Sequence, residues 1–353
     1  MHQQHRQCII LLKLLLLLLQ VFQTRARVSA IIVFGDSSVD AGNNNFIRTI
    51  AKSNFEPYGR DFYDGQPTGR FCNGRLSTDF ISETFNLPLI IPAFLDSQYT
   101  IEHFSAGVCF ASAATGFDYA TANILSVITL GQQLEYYKQY QDMLRSFQGE
   151  AKAQATISEA LHIISLGTND FIENYYALIG SNRSSEFTTE EYTDFIVGIA
   201  GSFIRDIYKL GARKIELAGI SPFGCLPQER ATNQAKIGEC NEDYNMVAQY
   251  FNVKLRALVD KLNKELFRVK IVFAGVYDLF LDVVRNPTAY GFENSWMGCC
   301  GTGLFEEGIL CNMKTPTCPD ASKYVFWDAV HPTERMYQII ADYTVRNALY
   351  VFL

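Results

Sequence analysis

The sequence predicts an α/β protein of three layers, with helices on both faces of a mostly parallel central sheet. Two observations carry this reading. Short β-branched runs alternate with long helical patterns, the signature of a parallel sheet covered by helices. Each run gives way at once to Gly, Asp, Asn or Ser, the residue types that turn a chain where a buried strand ends.

Four runs read as buried strands: Ile31 to Phe34, Ile163 to Leu166, Lys214 to Ala218 and Lys270 to Ala274. Between them, Thr189 to Leu210 carries Phe195, Ile196, Ile199, Phe203, Ile207 and Leu210 at helical spacing. Asn241 to Leu266 does the same with Tyr244, Val247, Phe251, Leu255, Leu258 and Leu262. Both stripes predict core-facing helix surfaces. A last helix is expected from Pro332 or Thr333 to about Leu349, with Pro332 suited to the first helical position. No repeat and no Pro/Gly/Ser-rich linker divides the chain, so one domain over residues 27–353 is expected. The long loops Asn43 to Asn73 and Asn286 to Asp320 are where insertions near the carboxyl ends of strands would shape a cleft.

The first residues predict a leader. His5 and Arg6 precede an apolar run from Ile9 to Leu19, which Lys13 interrupts and Gln20, Gln23, Thr24 and Arg25 follow. A bilayer span needs about 20 apolar residues, so the layout is that of a signal peptide. Cleavage is expected after Ala26, with Ala30 as the alternative, which makes the protein secreted and extracellular, with no stable membrane anchor. The full sequence is 48% hydrophobic, and the remaining chain of about 325 residues is long enough for a large core, which excludes disorder. A net charge of −7 with no basic run argues against nucleic acid as a partner. Eight cysteines remain after Cys8 is removed, an even number that suggests disulfides in an exported protein. Cys225 with Cys240 would close a short loop, and Cys299, Cys300, Cys311 and Cys318 could staple the segment before residue 328. Cys109 could be a free core thiol. Asn182-Arg183-Ser184 is an N-glycosylation sequon, so Asn182 is a candidate glycosylation site.

Three segments carry chemistry. Phe34-Gly35-Asp36-Ser37-Ser38 sits where the first strand stops, at the edge where open α/β sheets bind ligands. In the first turn of a following helix, Ser37 would expose its hydroxyl beside free backbone N–H groups. In Asp328-Ala329-Val330-His331, residues three apart share one face of a turn, so the carboxylate can fix the position and tautomer of the imidazole. Gly167-Thr168-Asn169-Asp170 follows the second strand and brings an Asn amide able to donate to a developing oxyanion. His162, inside an apolar run, reads as a packed residue, and His103 as incidental.

Taken in order, these segments resemble the GDSL esterase/lipase family, also called SGNH hydrolases, in its secreted plant branch. Gly69-Arg70-Phe71-Cys72-Asn73-Gly74-Arg75, Gly224-Cys225-Leu226-Pro227 and Cys299-Cys300-Gly301 resemble that branch too. The resemblance implies a flavodoxin-like fold and a serine esterase or lipase. Ser37 would be the nucleophile, His331 the base and Asp328 the residue that orients it. The oxyanion donors would be the Ser37 backbone N–H, the Asn169 side chain and a backbone N–H in Cys109-Phe110-Ala111-Ser112-Ala113-Ala114-Thr115-Gly116. There the sequence lacks the usual Asn and Gly-rich turn, and the donor is placed at Ala113, with Ala114 as its neighbour. The implied substrate is a small or polymeric ester: a lipid, a polyester or an acetylated polysaccharide. No cofactor is implied. The rival readings are an acyltransferase using the same triad and an extracellular binding protein without turnover. No Gly-x-Ser-x-Gly elbow, phosphate loop or His-Glu-x-x-His motif points to another enzyme class.

Overall fold

The computed structural model describes residues 28–177, 183–233, 236 and 238–353. The leader read over residues 1–26 and the sequon residue Asn182 lie outside them.

Five strands form a parallel sheet: β1 (Ile31–Gly35), β2 (Gly107–Cys109), β3 (Leu161–Ser165), β4 (Lys214–Ala218) and β5 (Lys270–Ala274). Their order is β2-β1-β3-β4-β5. A separate parallel pair joins β6 (Asn294–Gly298) to β7 (Tyr324–Phe326). This is the flavodoxin-like strand order, in which the winding reverses between β1 and β3 and a crevice opens at their carboxyl ends. The four strands read from sequence are all present, β3 starting at Leu161 rather than Ile163. The fifth, β2, is only three residues long, and Gly107-Val108-Cys109 offers too little pattern to stand out as a strand.

The helices are α1 (Ser77–Thr84), α2 (Ile101–Phe104), α3 (Tyr119–Ile124), α4 (Leu130–Gln148), α5 (Glu150–Glu159), α6 (Thr189–Lys209), α7 (Pro227–Thr232), α8 (Glu242–Glu265), α9 (Tyr277–Arg285) and α10 (Glu334–Asn347). The long ones start on side-chain caps: Thr188 accepts from the Glu191 N–H at α6 and Asn241 from the Tyr244 N–H at α8. At α10 the cap is Thr333, which accepts from the Met336 N–H, so Pro332 stands before the helix and not at its first position. Thr333 takes the capping role that Pro, with no side-chain acceptor, cannot fill. Phe195 also departs from expectation. It is 38% exposed and stacks on Phe187 at the surface instead of entering the core.

Period-two alternation along the strands makes the layers. Ile32, Phe34, Ile164, Ile215 and Leu217 pack on one face with Tyr137 and Leu144 of α4, Ile196 and Ile204 of α6, and Phe251 and Leu255 of α8. Ile31, Val33, Leu161 and Ile163 face the other way, against Phe80 and Ile81 of α1 and Tyr337, Ala341 and Val345 of α10. The sheet therefore lies between two helical layers. His162 is buried on the first face, where its Nε2 meets the Tyr137 hydroxyl at 2.9 Å and burial pushes its pKa down to about 4.

Three disulfides join Cys225 to Cys240, Cys299 to Cys318 and Cys300 to Cys311. Cys72 and Cys109 are free and buried.

Candidate active site

Ser37 lies immediately past β1, half-buried in a turn. It is not in the first turn of a helix, as the sequence suggested. The turn closes because Asp36 Oδ1 accepts from the Ser38 N–H at 2.9 Å and from the Ser38 hydroxyl at 2.7 Å. Its next residues then follow the Asp40 carboxylate, which takes the N–H groups of Gly42 and Asn43, each at 2.8 Å. Neither the hydroxyl nor the backbone N–H of Ser37 has a hydrogen-bond partner among the described residues.

The loop after β7 brings Asp328 and His331 together. Trp327 N–H donates back to the His331 carbonyl at 2.7 Å, and Phe326 bridges Pro332, which folds residues 326–332 into a tight turn. The buried Asp328 carboxylate accepts from the Val330 N–H at 2.9 Å, the His331 N–H at 2.6 Å and the Tyr58 hydroxyl at 2.7 Å. His331 Nδ1 lies 2.9 Å from Asp328 Oδ2. With Asp328 on Nδ1, the tautomer that accepts at Nε2 is favoured. His331 Nε2 is buried without a partner among the described residues, and Phe71 packs against the ring with centroids 4.9 Å apart. Burial opposes a charge on His331, but the Asp328 carboxylate outweighs it, and the pKa ends above the ordinary 6.5.

Behind this loop stands a support that the sequence did not disclose. Tyr58, buried among Phe55, Phe71 and Trp327, donates to Asp328 and accepts from the Gly308 N–H at 2.8 Å. Its chain position, 270 residues before Asp328, leaves no local signal. Cys299 and Cys300 donate their N–H groups to the carbonyls of Phe326 and Trp327 at 3.0 and 2.9 Å, so both nested disulfides reach the loop. A methyl group on Gly298 would come within 2.5 Å of the Asp328 carbonyl oxygen.

On the opposite side of Ser37, Asn169 ends the turn after β3 and precedes a π-helical turn, Asp170–Tyr175, a form frequent at functional sites. Its side-chain amide donates one hydrogen to the Thr115 carbonyl at 3.1 Å, which leaves the second free. The adjoining segment corrects one expectation. The Ala113 N–H donates to Asp40 Oδ2 at 3.0 Å and has no free donor to offer, because the buried carboxylate that shapes the Ser37 loop also claims it. The next residue, Ala114, has φ +67°, a left-handed conformation unusual for a residue with a Cβ. Its N–H has no partner among the described residues.

Two buried acids set this geometry, and neither role shows in the local sequence. Asp40 joins the Ser37 loop to Ala113; burial raises its pKa to about 6 against the hydrogen bonds it accepts. Asp170 accepts from the N–H groups of Phe117 and Asp118 at 2.7 and 3.0 Å and from the Thr121 hydroxyl at 2.7 Å. Burial pushes Asp170 up to about 7. A Cβ on Gly116 would meet its carboxylate at 2.2 Å, so only glycine allows the approach. The available signals were adjacency to Asn169 for Asp170, and a place three residues after Ser37 for Asp40.

Two cavities meet at Ser37 and Asn169. One, of about 140 Å³, runs beneath Val330 and His331 over Ile163, Glu216 and Ile220 towards Tyr337. The other, of about 150 Å³, is lined by Ile50 and Phe71 from one predicted long loop and by Glu307 and Ile309 from the other, with Ala114 and Glu173. Burial raises Glu307 to about 8 against the pull of His331. A hydroxyl, an imidazole with a free Nε2 and three unspent N–H donors therefore border two cavities that share Ser37 and Asn169. Such groups can together remove a proton from an alcohol and hold a negative oxygen.

Residues 31–344 match the family model of the GDSL-like lipase/acylhydrolases. The chain belongs to this family. GDSL esterase/lipase At2g42990 of Arabidopsis thaliana is 55% identical over 328 residues, 93% of each chain. GDSL esterase/lipase At4g26790 of the same plant is 51% identical over 348 residues, 98% of this chain and 99% of the relative. GDSL esterase/lipase At2g04570 is 52% identical over 328 residues, again 93% of each. This GDSL hydrolase is a carboxylic ester hydrolase, and its five-stranded sheet with helices on both faces is the fold expected of it. Among its described residues no helix is long and apolar enough to cross a membrane.

Proposed function

We propose that this hydrolase cleaves carboxylic esters through an acyl-enzyme on Ser37. His331 Nε2 takes the Ser37 proton as the hydroxyl attacks the ester carbonyl, and the imidazolium then protonates the departing alcohol. Water, activated by the same Nε2, attacks the acyl-enzyme and releases the acid. Asp328 holds the tautomer and stabilises the imidazolium. The developing oxyanion is held by the N–H groups of Ser37 and Ala114 and by the free amide hydrogen of Asn169.

One observation carries the reading: an imidazole bound at Nδ1 by a buried carboxylate keeps Nε2 buried and unpartnered in the cavity that Ser37 lines. The apolar cavity under Val330 suits an acyl group, and the cavity bearing Glu173 and Glu307 suits the more polar alcohol portion. One hydrolase domain over residues 27–353, exported behind the leader and free of a membrane anchor, is the form in which it would act.

The test is intact mass after exposure to a fluorophosphonate. A single adduct on the wild type that is absent from Ser37→Ala is expected; no adduct on folded wild-type protein would sink the proposal.

A further inference from the structure

The acyl-side cavity has an inner end of unexpected chemistry. Across the sheet, Val33, Ile163, Glu216 and Val272 stand in register on neighbouring strands. Val33, Ile163 and Val272 pack in the apolar cluster that includes Tyr337 of α10. Glu216 is the one acid in that row. It is 3% exposed, and its Oε2 has no hydrogen-bond partner among the described residues. Tyr337, 2% exposed, has a hydroxyl that is likewise unpartnered among the described residues. Both line the cavity that begins at Ser37, among Ile81, Ile163, Ile220 and Ile340.

Register fixes the depth. Gly35 pairs with Ser165 at the sheet edge, and Val33 and Ile163 lie two residues further in, about 7 Å at ordinary strand rise. Glu216 is two strands across from β1, a further ~10 Å sideways. A substrate carbonyl at Ser37 and a group at Glu216 are thus separated by a chain of medium length through mostly apolar surroundings.

Leaving buried polar groups without partners costs free energy that an apolar lining would not. With its pKa raised by burial to about 8, Glu216 is largely a neutral acid at neutral pH, able both to donate and to accept. On the wall of the cavity its carboxyl therefore complements one small group that does both. We infer that Glu216 forms a subsite for a hydroxyl carried on the acyl chain, so that the preferred substrates are esters of hydroxylated medium-chain acids. This rests on the reading of Ser37 as nucleophile, which sets the entrance of the acyl chain.

Binding can be measured apart from turnover. On the Ser37→Ala protein, calorimetry would compare a medium-chain methyl ester with the same ester hydroxylated once at successive carbons towards its end. One hydroxylated isomer should bind about tenfold more tightly than the plain ester. Glu216→Leu in that background should abolish or reverse the preference. Removing an unpartnered buried acid favours the folded state, so a thermal melt should show Glu216→Leu intact. Equal binding of all isomers, binding of none, or a preference that Glu216→Leu leaves unchanged would each overturn the inference. Failed fluorophosphonate labelling of Ser37 beside an intact hydroxyl preference would overturn the catalytic reading alone.

Discussion

The two sides of the Ser37 cleft are held by different physics. The Asp328–His331 side is a short turn packed in aromatic rings and fastened from behind by two disulfides, with Tyr58 as the one remote hydrogen bond to its carboxylate. The Ala114–Asn169 side has no cross-link and is shaped by two buried carboxyl groups, Asp40 and Asp170, that collect backbone N–H groups from separate loops. A turn of four residues needs only to be braced, because its chain already brings the partners together. The other side must align β1, β3 and the 112–118 segment, and buried acceptors do this at the cost of sensitivity to proton concentration.

The largest effect should come from the groups common to both sides. Ser37→Ala or His331→Ala should lower kcat by several orders of magnitude, as loss of a nucleophile or its base does; near-normal turnover of either purified variant would end the mechanism. Asn169→Ala should lose about 10²–10³ in kcat with KM little changed. An unaltered kcat would remove Asn169 from the oxyanion site and leave that side purely architectural.

A smaller effect probes the brace. Tyr58→Phe takes one donor from Asp328, which concentrates negative charge opposite His331. It should lower kcat roughly tenfold, in keeping with loss of a hydrogen bond to a charged group. The acid limb of the pH profile should move to higher pH, whereas a defect of packing alone would leave the limb in place. In the wild type that limb should already lie above the ordinary His value of 6.5, because the base works only when neutral.

Proton linkage separates the sides further. Asp170 has a folded pKa of about 7 against an ordinary 3.8, so between these values the native state holds a proton that the unfolded chain has lost. Its contribution is fully present below 3.8 and is lost as pH rises through about 7. In Asp170→Asn, thermal stability measured across that window should fall less than in the wild type; parallel curves would refute the assignment. His331, also raised, has the same sign: what it contributes is present below 6.5 and disappears as it becomes the neutral base. Rising pH therefore activates the cleft while it loosens the frame. The smallest effect should come from Ala114→Gly, which relieves the φ +67° conformation but frees the unfolded chain. Stability should change by less than about 1 kcal/mol and kcat should stay, since the backbone N–H is retained.

What could be read from the sequence follows the range of the forces involved. β1, β3, β4 and β5 announce themselves because burial within the sheet demands short runs rich in Ile, Val, Leu and Phe, even where β3 carries His162 and β4 carries Lys214 and Glu216. Ser37, Asn169 and the Asp328–His331 pair lie at strand ends or within one turn, where local chemistry is visible. Tyr58, and the use of Asp40 and Asp170 as acceptors, depend on contacts across as many as 270 residues, and a chain without coordinates does not show them. The placement at Ala113 failed for the same reason: whether an N–H is free depends on what a distant carboxylate has already taken.

Gly116 and Gly298 give the structure a genetic consequence. Neither offers a side chain to an ester, yet an added Cβ would strike the Asp170 carboxylate in one case and the Asp328 main chain in the other. A random mutagenesis screen scored on activity should therefore return both among its null alleles, beside the residues that handle the proton. A map of such alleles would trace the walls of the cleft as faithfully as its contents.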